Sequence, residues 1–133
     1  MKYRLDFVTN SSSSSYIVCF ARIEDRNKAR KVLNNLHNHT HAHVVEYNAD
    51  EILKMGYIGA DWAGAFIYDS DKVAMEHPDD DYIVVYDRND AYHSDDGEPI
   101  YDYNFSINKY IDDISEENGF ADVEISEGEG RDG

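Results

Sequence analysis

The chain has 133 residues and a formal net charge of −16 at pH 7. Residues 1–68 carry eight Lys/Arg against seven Asp/Glu, a net charge of +1, whereas residues 69–133 carry four against twenty-one, a net charge of −17. An acidic half of this kind repels nucleic-acid phosphates and attracts basic proteins or cations over about 8 Å at physiological salt. The composition therefore argues against direct nucleic-acid binding, and the near-neutral first half argues against a general adaptation to salt.

The N-terminal region predicts two strands around a run of serines. Residues 3–8 alternate loosely as in a short strand, Ser11 to Ser15 predict a polar turn, and Tyr16 to Ile23 predict a stronger strand. The serines and their backbone N–H groups could bind an anion, or they could serve only as a spacer. Cys19 is the only cysteine and lies in the apolar run, so we expect a buried structural thiol.

Two helices and a strand are predicted next. Asp25 is placed as the N-cap of a helix over Arg26 to Leu36, whose apolar residues recur at steps of three and four. His43 to Tyr47 predicts a strand. Asp50 to Met55 predicts a short helix that begins at a cap, Asn48 or Asp50, and ends near Gly56.

The chain after Gly56 predicts four strands, one helix and a tail. The strands are Trp62 to Tyr68, Asp81 to Asp87, Ile100 to Phe105 and Ala121 to Ile125, with a polar loop over Asp87 to Pro99. Ser106 is placed as the cap of a helix over Ile107 to Glu117 that ends at Asn118 and Gly119. Residues 127–133 are expected to form a disordered acidic tail.

This order of elements predicts an α+β fold. We expect a single domain over residues 1–126, with one mixed or antiparallel sheet and two or three helices packed on one face. The sequence shows no secretory signal and no apolar stretch near the length of about 18 residues that a membrane span needs. A cytoplasmic location is therefore expected.

The first seventeen residues carry a distinctive string. A basic start, Lys2 and Arg4, leads into Phe-Val-Thr-Asn at 7–10, five serines, and then Tyr16 and Ile17. This opening resembles that of many small bacterial and phage proteins of unknown function. The resemblance implies a bacterial or phage origin, and the host-cell cytoplasm as the location if the chain is phage-encoded, but it implies no active site.

Four histidines form a candidate transition-metal site, beside an irregular cation site that Asp79, Asp80, Asp81, Asp95 and Asp96 could form. His37, His39, His41 and His43 occupy alternate positions, so an extended segment would place all four on one face. In a helix, His37 and His41 would instead lie on one face, and so would His39 and His43. Imidazole is a good ligand for zinc, nickel and copper. The other interpretation is a polar loop whose histidines are solvated, with no cofactor.

The carboxylates suggest a different function. They do not fit a calcium-binding loop, because position six of the best match is Tyr92 where glycine is needed. Rows of carboxylates on strands and helices can resemble a nucleic-acid backbone, and the interleaved tyrosines, including Tyr82, Tyr86, Tyr92 and Tyr110, would add contact area. The candidate partner-binding residues are Asp79, Asp80, Asp81, Asp95, Asp96, Glu98, Tyr101, Tyr103, Asp112, Asp113, Glu116, Glu117, Asp122 and Glu124.

The sequence favours a binding protein over an enzyme and identifies no catalytic residue. The leading hypothesis is a phage or mobile-element inhibitor of the anti-CRISPR or anti-restriction type. It would present a nucleic-acid-mimicking surface to a basic, nucleic-acid-binding host protein such as a CRISPR effector or nuclease. One alternative is a metal-binding protein or small metal-dependent hydrolase that uses the four histidines. Another is an accessory protein that reaches its partner through the serine-rich opening.

Overall fold

A computed structural model describes residues 12–60, 64–93, 99–100 and 105–132. Seven strands and three α-helices are present in this part of the chain. In chain order they are β1 (Ser12–Ile23), α1 (Arg26–His39), β2 (His43–Asn48), α2 (Ala49–Met55), β3 (Ile58–Ala60), β4 (Ala65–Ile67), α3 (Ser70–Glu76), β5 (Asp81–His93), β6 (Pro99–Ile100) and β7 (Phe120–Asp132). Three short 3-10 turns, Ser106–Lys109, Ile111–Asp113 and Glu116–Asn118, lead into β7.

The main sheet is antiparallel, with the strand order β2-β5-β1-β7. The short strand β6 pairs with the far end of β5. The central strand β1 pairs along its length with β5 and β7, so Ile17 lies opposite both Asp87 and Glu127. Its residues 17–23 are buried throughout, because both faces of the sheet are covered. This explains why the run is apolar at every position except Arg22.

Two apolar cores lie on opposite faces of the sheet. On one face α1 packs, through residues such as Leu33 and Leu36, with Phe105, Ile107 and Ile114. On the other face α2, α3 and the β3–β4 hairpin pack on the alternate residues of the same strands. The predicted α+β class and the antiparallel sheet are confirmed. The helices were predicted on one face and lie on both, since β1 and β5 are apolar on both sides.

The predicted caps of the first two helices are confirmed. The Asp25 side chain accepts hydrogen bonds from the backbone N–H groups of Asn27 and Lys28 at 3.1 and 3.2 Å. In α2, Asn48 and Glu51 form a reciprocal capping box, with both bonds at 2.9 Å. Gly56 ends α2 with a φ of 69°, a left-handed conformation that favours glycine. None of the described helices combines the length and the apolar character that crossing a membrane requires.

The helix predicted over Ile107 to Glu117 is absent, and 3-10 turns take its place. Ser106 does not cap a helix, because its hydroxyl donates to the buried carboxylate of Asp87 at 2.7 Å. The segment is also rich in Asn, Asp, Ser and Tyr, which form helices poorly. Ile107 and Ile114 are buried, and they fix these turns to the sheet instead.

The strands are longer than predicted at the serine-rich end of the sheet. Ser12 to Ser15 belong to β1, and Ser15 lies opposite both Asn89 and Glu129, so the predicted turn over these residues is wrong. The strand β5 runs on to His93, where a loop was predicted, and β7 runs to Asp132, where a disordered tail was predicted. Neighbouring strands supply the backbone hydrogen bonds that polar sequences lack on their own.

Some predicted elements are changed or lie outside the described residues. The strand expected over Trp62 to Tyr68 is shorter, at Ala65–Ile67. The strand expected over Ile100 to Phe105 is represented by β6, with 101–104 outside the described residues. The strand predicted over 3–8 also lies outside them. The sequence did not predict α3. Only three of its seven residues are buried, namely Ser70, Val73 and Ala74.

Candidate interaction surfaces

One end of the sheet is organised around a buried cation, Arg22. Its side chain donates to Asp122 and to Asp80, both at 2.8 Å, and lies 3.4 Å from Glu24. Burial alone lowers the pKa of the guanidinium, but the hydrogen bonds and charges of Asp122 and Asp80 outweigh it, so the pKa is raised. Asp80 and Asp122, both predicted to contact a partner, are therefore held by a cation of the same chain.

The backbone of β7 is adapted to this cluster. The β1–β7 pairing shifts register between Phe20 and Arg22, and one extra β7 residue is accommodated there as in a β-bulge. Asp122 lies in this stretch with a φ of 53°. Aspartate tolerates the left-handed region better than most residues. The irregular strand is thus tied to the internal ion pair.

Two more of the predicted carboxylates have internal partners. Arg26, at the start of α1, lies 2.9 Å from both Glu46 and Asp81, and hydrogen bonds to these carboxylates raise its pKa. Glu124 accepts hydrogen bonds from the backbone N–H groups of Tyr68 and Asp69 at 2.8 and 3.1 Å. Asp81 and Glu124 therefore hold α1 and the segment after β4 in place.

Four predicted carboxylates form a compact exposed group. Asp112, Asp113, Glu116 and Glu117 lie on residues 111–118, which we call the acidic turns. All four side chains are exposed, and no Lys, Arg or His of the described residues forms an ion pair with them. Their charges are therefore available to a partner. Asp79 is also exposed, two residues before the start of β5.

Hydrogen bonds hold the acidic turns in place. Asp87 is 5% exposed and accepts hydrogen bonds from the Ser106 hydroxyl and from the backbone of Ile107 at 3.1 Å. Within the turns, the Asn118 amide donates to the carbonyl of Asp113 at 2.9 Å. At their end, the carbonyl of Gly119 accepts from the backbone N–H groups of Glu24 and Asp25 at 2.8 and 2.9 Å. The Gly119 bonds fix the end of the acidic turns near Arg22, and the Asp87 bonds hold the segment before the turns farther along β5.

The acidic turns border a basic helix face. A cleft of about 220 Å³ lies between α1 and the turns, and Lys28, Lys31, Asp113 and Asn118 are among its lining residues. The lysines limit the extent of the negative surface on this side. Asp113 therefore lies on the side of the turns that faces these lysines.

The tyrosines and the remaining candidates divide between core and undescribed segments. Tyr82 is fully buried, and its hydroxyl donates to the carbonyl of His77 at 2.6 Å. Burial raises its pKa to about 12. The prediction that Tyr82 adds interface area is therefore wrong. Outside the described residues, or with side chains not described, lie Asp95, Asp96, Glu98, Tyr92, Tyr101 and Tyr103.

The four histidines do not share one regular segment. His37 and His39 belong to the last turn of α1, His41 lies in the following bend, and His43 begins β2. Nε2 of His37 lies 3.9 Å from a carboxylate oxygen of Glu46. Among the residues that the structure describes, no three His, Cys, Asp or Glu side chains are grouped to hold a metal ion. The four histidines could share one face only if the whole segment were extended. Instead, the segment changes from the helix α1 to the strand β2 between His39 and His43.

Cys19 is buried in the core as predicted, and burial raises the pKa of its thiol to about 12. Sequence reasoning missed the structural roles of Arg22 and Asp87. A signal existed for Arg22, since it interrupts an otherwise apolar strand, and a charge within such a run requires a partner. No comparable signal marked Asp87, which lies among other acidic and polar residues.

Comparisons with protein-family models, with curated proteins and with solved structures find no match. The functional argument therefore depends on the surfaces of this chain alone.

Proposed function

We propose that this chain is a phage or mobile-element inhibitor that presents a nucleic-acid-mimicking surface to a basic, nucleic-acid-binding host defence protein. An inhibitor of a CRISPR effector or of a restriction enzyme is the concrete form. The observation that carries the proposal is the group of four exposed carboxylates on the acidic turns, which lack an internal cation among the described residues.

The fixed position of the acidic turns supports this proposal. B-DNA presents one negative charge per about 1.7 Å of axis, so a mimic needs closely spaced charges in a fixed arrangement. The acidic turns place two adjacent pairs of carboxylates within six residues. Buried Ile107 and Ile114 anchor the segment, and the buried carboxylate of Asp87 holds its start. A fixed segment loses less conformational entropy on binding than a flexible tail.

The charge of the whole chain supports the same partner. A net charge of −16 attracts a basic groove at long range and raises the association rate. Competition for a groove needs no cofactor and no catalytic residue. The inhibitor would act in the cytoplasm of the host cell, where such defence proteins meet nucleic acid.

The experiment is a pull-down from bacterial lysate with the purified chain as bait, at about 50 and about 500 mM salt, chosen because nucleic-acid-like contacts depend steeply on salt. The test variant replaces the four carboxylates with isosteric amides: Asp112→Asn, Asp113→Asn, Glu116→Gln and Glu117→Gln. The control makes the same change in charge at four other exposed carboxylates: Asp50→Asn, Asp71→Asn, Glu76→Gln and Glu127→Gln.

The proposal predicts capture of a nucleic-acid-binding protein at low salt by the natural chain and by the control variant. The test variant should lose this capture, and added duplex DNA or RNA should release the captured protein. Two results would contradict the proposal: recovery of no nucleic-acid-binding protein at either salt, or equal loss of capture in both variants. Equal loss would show that net charge, and not the acidic turns, determines binding.

A further inference from the structure

The outward face of the β3–β4 hairpin carries three aromatic side chains, Tyr57, Phe66 and Tyr68, which we call the aromatic row. The ring centroids of Phe66 and Tyr68 are 4.3 Å apart, and those of Tyr57 and Phe66 are 5.9 Å apart. Tyr68 is 72% exposed and Tyr57 is 46% exposed. Large aromatic side chains are rarely left in water as a contiguous group unless they contact something.

The hairpin backbone is shaped to present this row. Ile58 and Ile67 are paired and buried against the sheet, so their neighbours along each strand point outward. Gly59 lies opposite Phe66 with a φ of 146°, and a Cβ at Gly59 would lie 2.4 Å from Cβ of Phe66. Glycine therefore allows Phe66 to lie across the neighbouring strand. The hairpin holds the rings together on a short, buried base.

Negative charge is fixed beside the row. Glu124 is bound to the backbone N–H groups of Tyr68 and Asp69, and the Asp69 side chain is exposed. Asp71 and Lys72, which follow, offset each other. The faces of aromatic rings attract cations, and nearby carboxylates strengthen that preference. The chain uses such a contact internally, where Cζ of Arg88 lies 5.5 Å from the ring centroid of Tyr16.

We propose that the aromatic row is a second protein-binding surface, which takes arginine or lysine side chains of a partner through cation–π contacts. The hairpin packs on the α2 and α3 side of the sheet, whereas the acidic turns pack on the α1 side. A single flat partner surface therefore does not cover both, and this surface is additional to the one proposed above. The acidic surroundings repel nucleic acid, so the partner is a protein segment.

The test uses amide NMR spectra of the full chain titrated with a glycine-spaced arginine peptide. A matched peptide with citrulline in place of arginine keeps the shape and removes the charge. The arginine peptide should shift the amide signals of Phe66 and Tyr68, and the citrulline peptide should not. Tyr68→Leu, at a mostly exposed position, should weaken binding about 2- to 5-fold, whereas Tyr68→Phe should retain it.

Controls separate this surface from the acidic turns. Met75→Ala removes another exposed apolar side chain, 66% exposed, and should leave binding at the row unchanged. The four-amide variant of the acidic turns should also keep the shifts at Phe66 and Tyr68. The proposal is overturned if the citrulline peptide binds equally, if Tyr68→Leu binds as tightly as the natural chain, or if the acidic-turn variant loses the shifts. A thymidine oligonucleotide that shifts the same amides in place of the peptide would also overturn it.

Discussion

Replacing Arg22 with alanine should destabilise the protein more than any other single change of a surface or boundary charge. Removal leaves Asp80 and Asp122 without the guanidinium that donates hydrogen bonds to both of them. Breaking a buried ion pair costs about 3–5 kcal/mol. The two carboxylates are 35% and 39% exposed, so water compensates part of that cost. We therefore expect the free energy of unfolding to fall by about 2–3 kcal/mol, after this discount.

Urea unfolding followed by circular dichroism measures this change. Unfolding entropies scale with chain length, so the expected loss lowers Tm by roughly 7–10 °C. The matched control is Arg30→Ala in α1, an exposed arginine whose side chain donates to Asn27 at 3.2 Å. The control should change stability by less than about 0.5 kcal/mol. If both variants lose the same stability, Arg22 is not the counter-ion that holds this end of the sheet.

Three further predictions concern the core and the turns. Burial raises the pKa of the Cys19 thiol to about 12, so at pH 8 the native protein should react with a disulfide reagent far more slowly than the urea-unfolded chain; equal rates would contradict burial. The folded pKa of Tyr82 is also raised to about 12, above its ordinary value of 10.0, so the stability from Tyr82 is complete below pH 10 and lost as the pH rises towards 12. Tyr82→Phe should flatten this loss in urea unfolding between pH 10 and 12, and an unchanged slope would assign the loss to another group. Gly56→Ala should lower the free energy of unfolding by about 1–2 kcal/mol, because alanine is strained in the left-handed conformation. Gly119→Ala should lower it further, because a Cβ at Gly119 would also lie 2.3 Å from the carbonyl oxygen of Asp25. Equal losses in urea unfolding would refute the clash.

The elements with local signals were predicted well from the sequence. The cap and the periodic apolar residues of α1 lie within a few positions of one another, and the same holds for the capping box of α2. In contrast, α3 buries only Ser70, Val73 and Ala74 and has no side-chain cap. Its seven residues are too few to show the helical periodicity of apolar residues. The 3-10 turns depend on Asp87, which is distant in sequence from the residues that it binds.

The candidate surfaces were only partly predictable, because charge is visible in a sequence and pairing is not. Arg22 and Asp122 are 100 positions apart, so nothing local indicates that this carboxylate has an internal cation. In contrast, the carboxylates of the acidic turns were predicted as partner-binding residues from their composition alone. The sequence predicted an apolar strand where the aromatic row lies, but the exposure of Tyr68 depends on which residues of the hairpin face the sheet.

The most direct test of the proposed function is a displacement assay with the nucleic-acid-binding protein that the pull-down recovers. A fluorescent duplex bound to that protein is titrated with this chain, and anisotropy reports the release of the duplex. The acidic turns predict displacement by the natural chain and by the charge-matched control variant, but not by the four-amide variant. If the duplex stays bound while the chain also binds, or if the four-amide variant displaces it equally well, the acidic turns do not occupy the nucleic-acid groove.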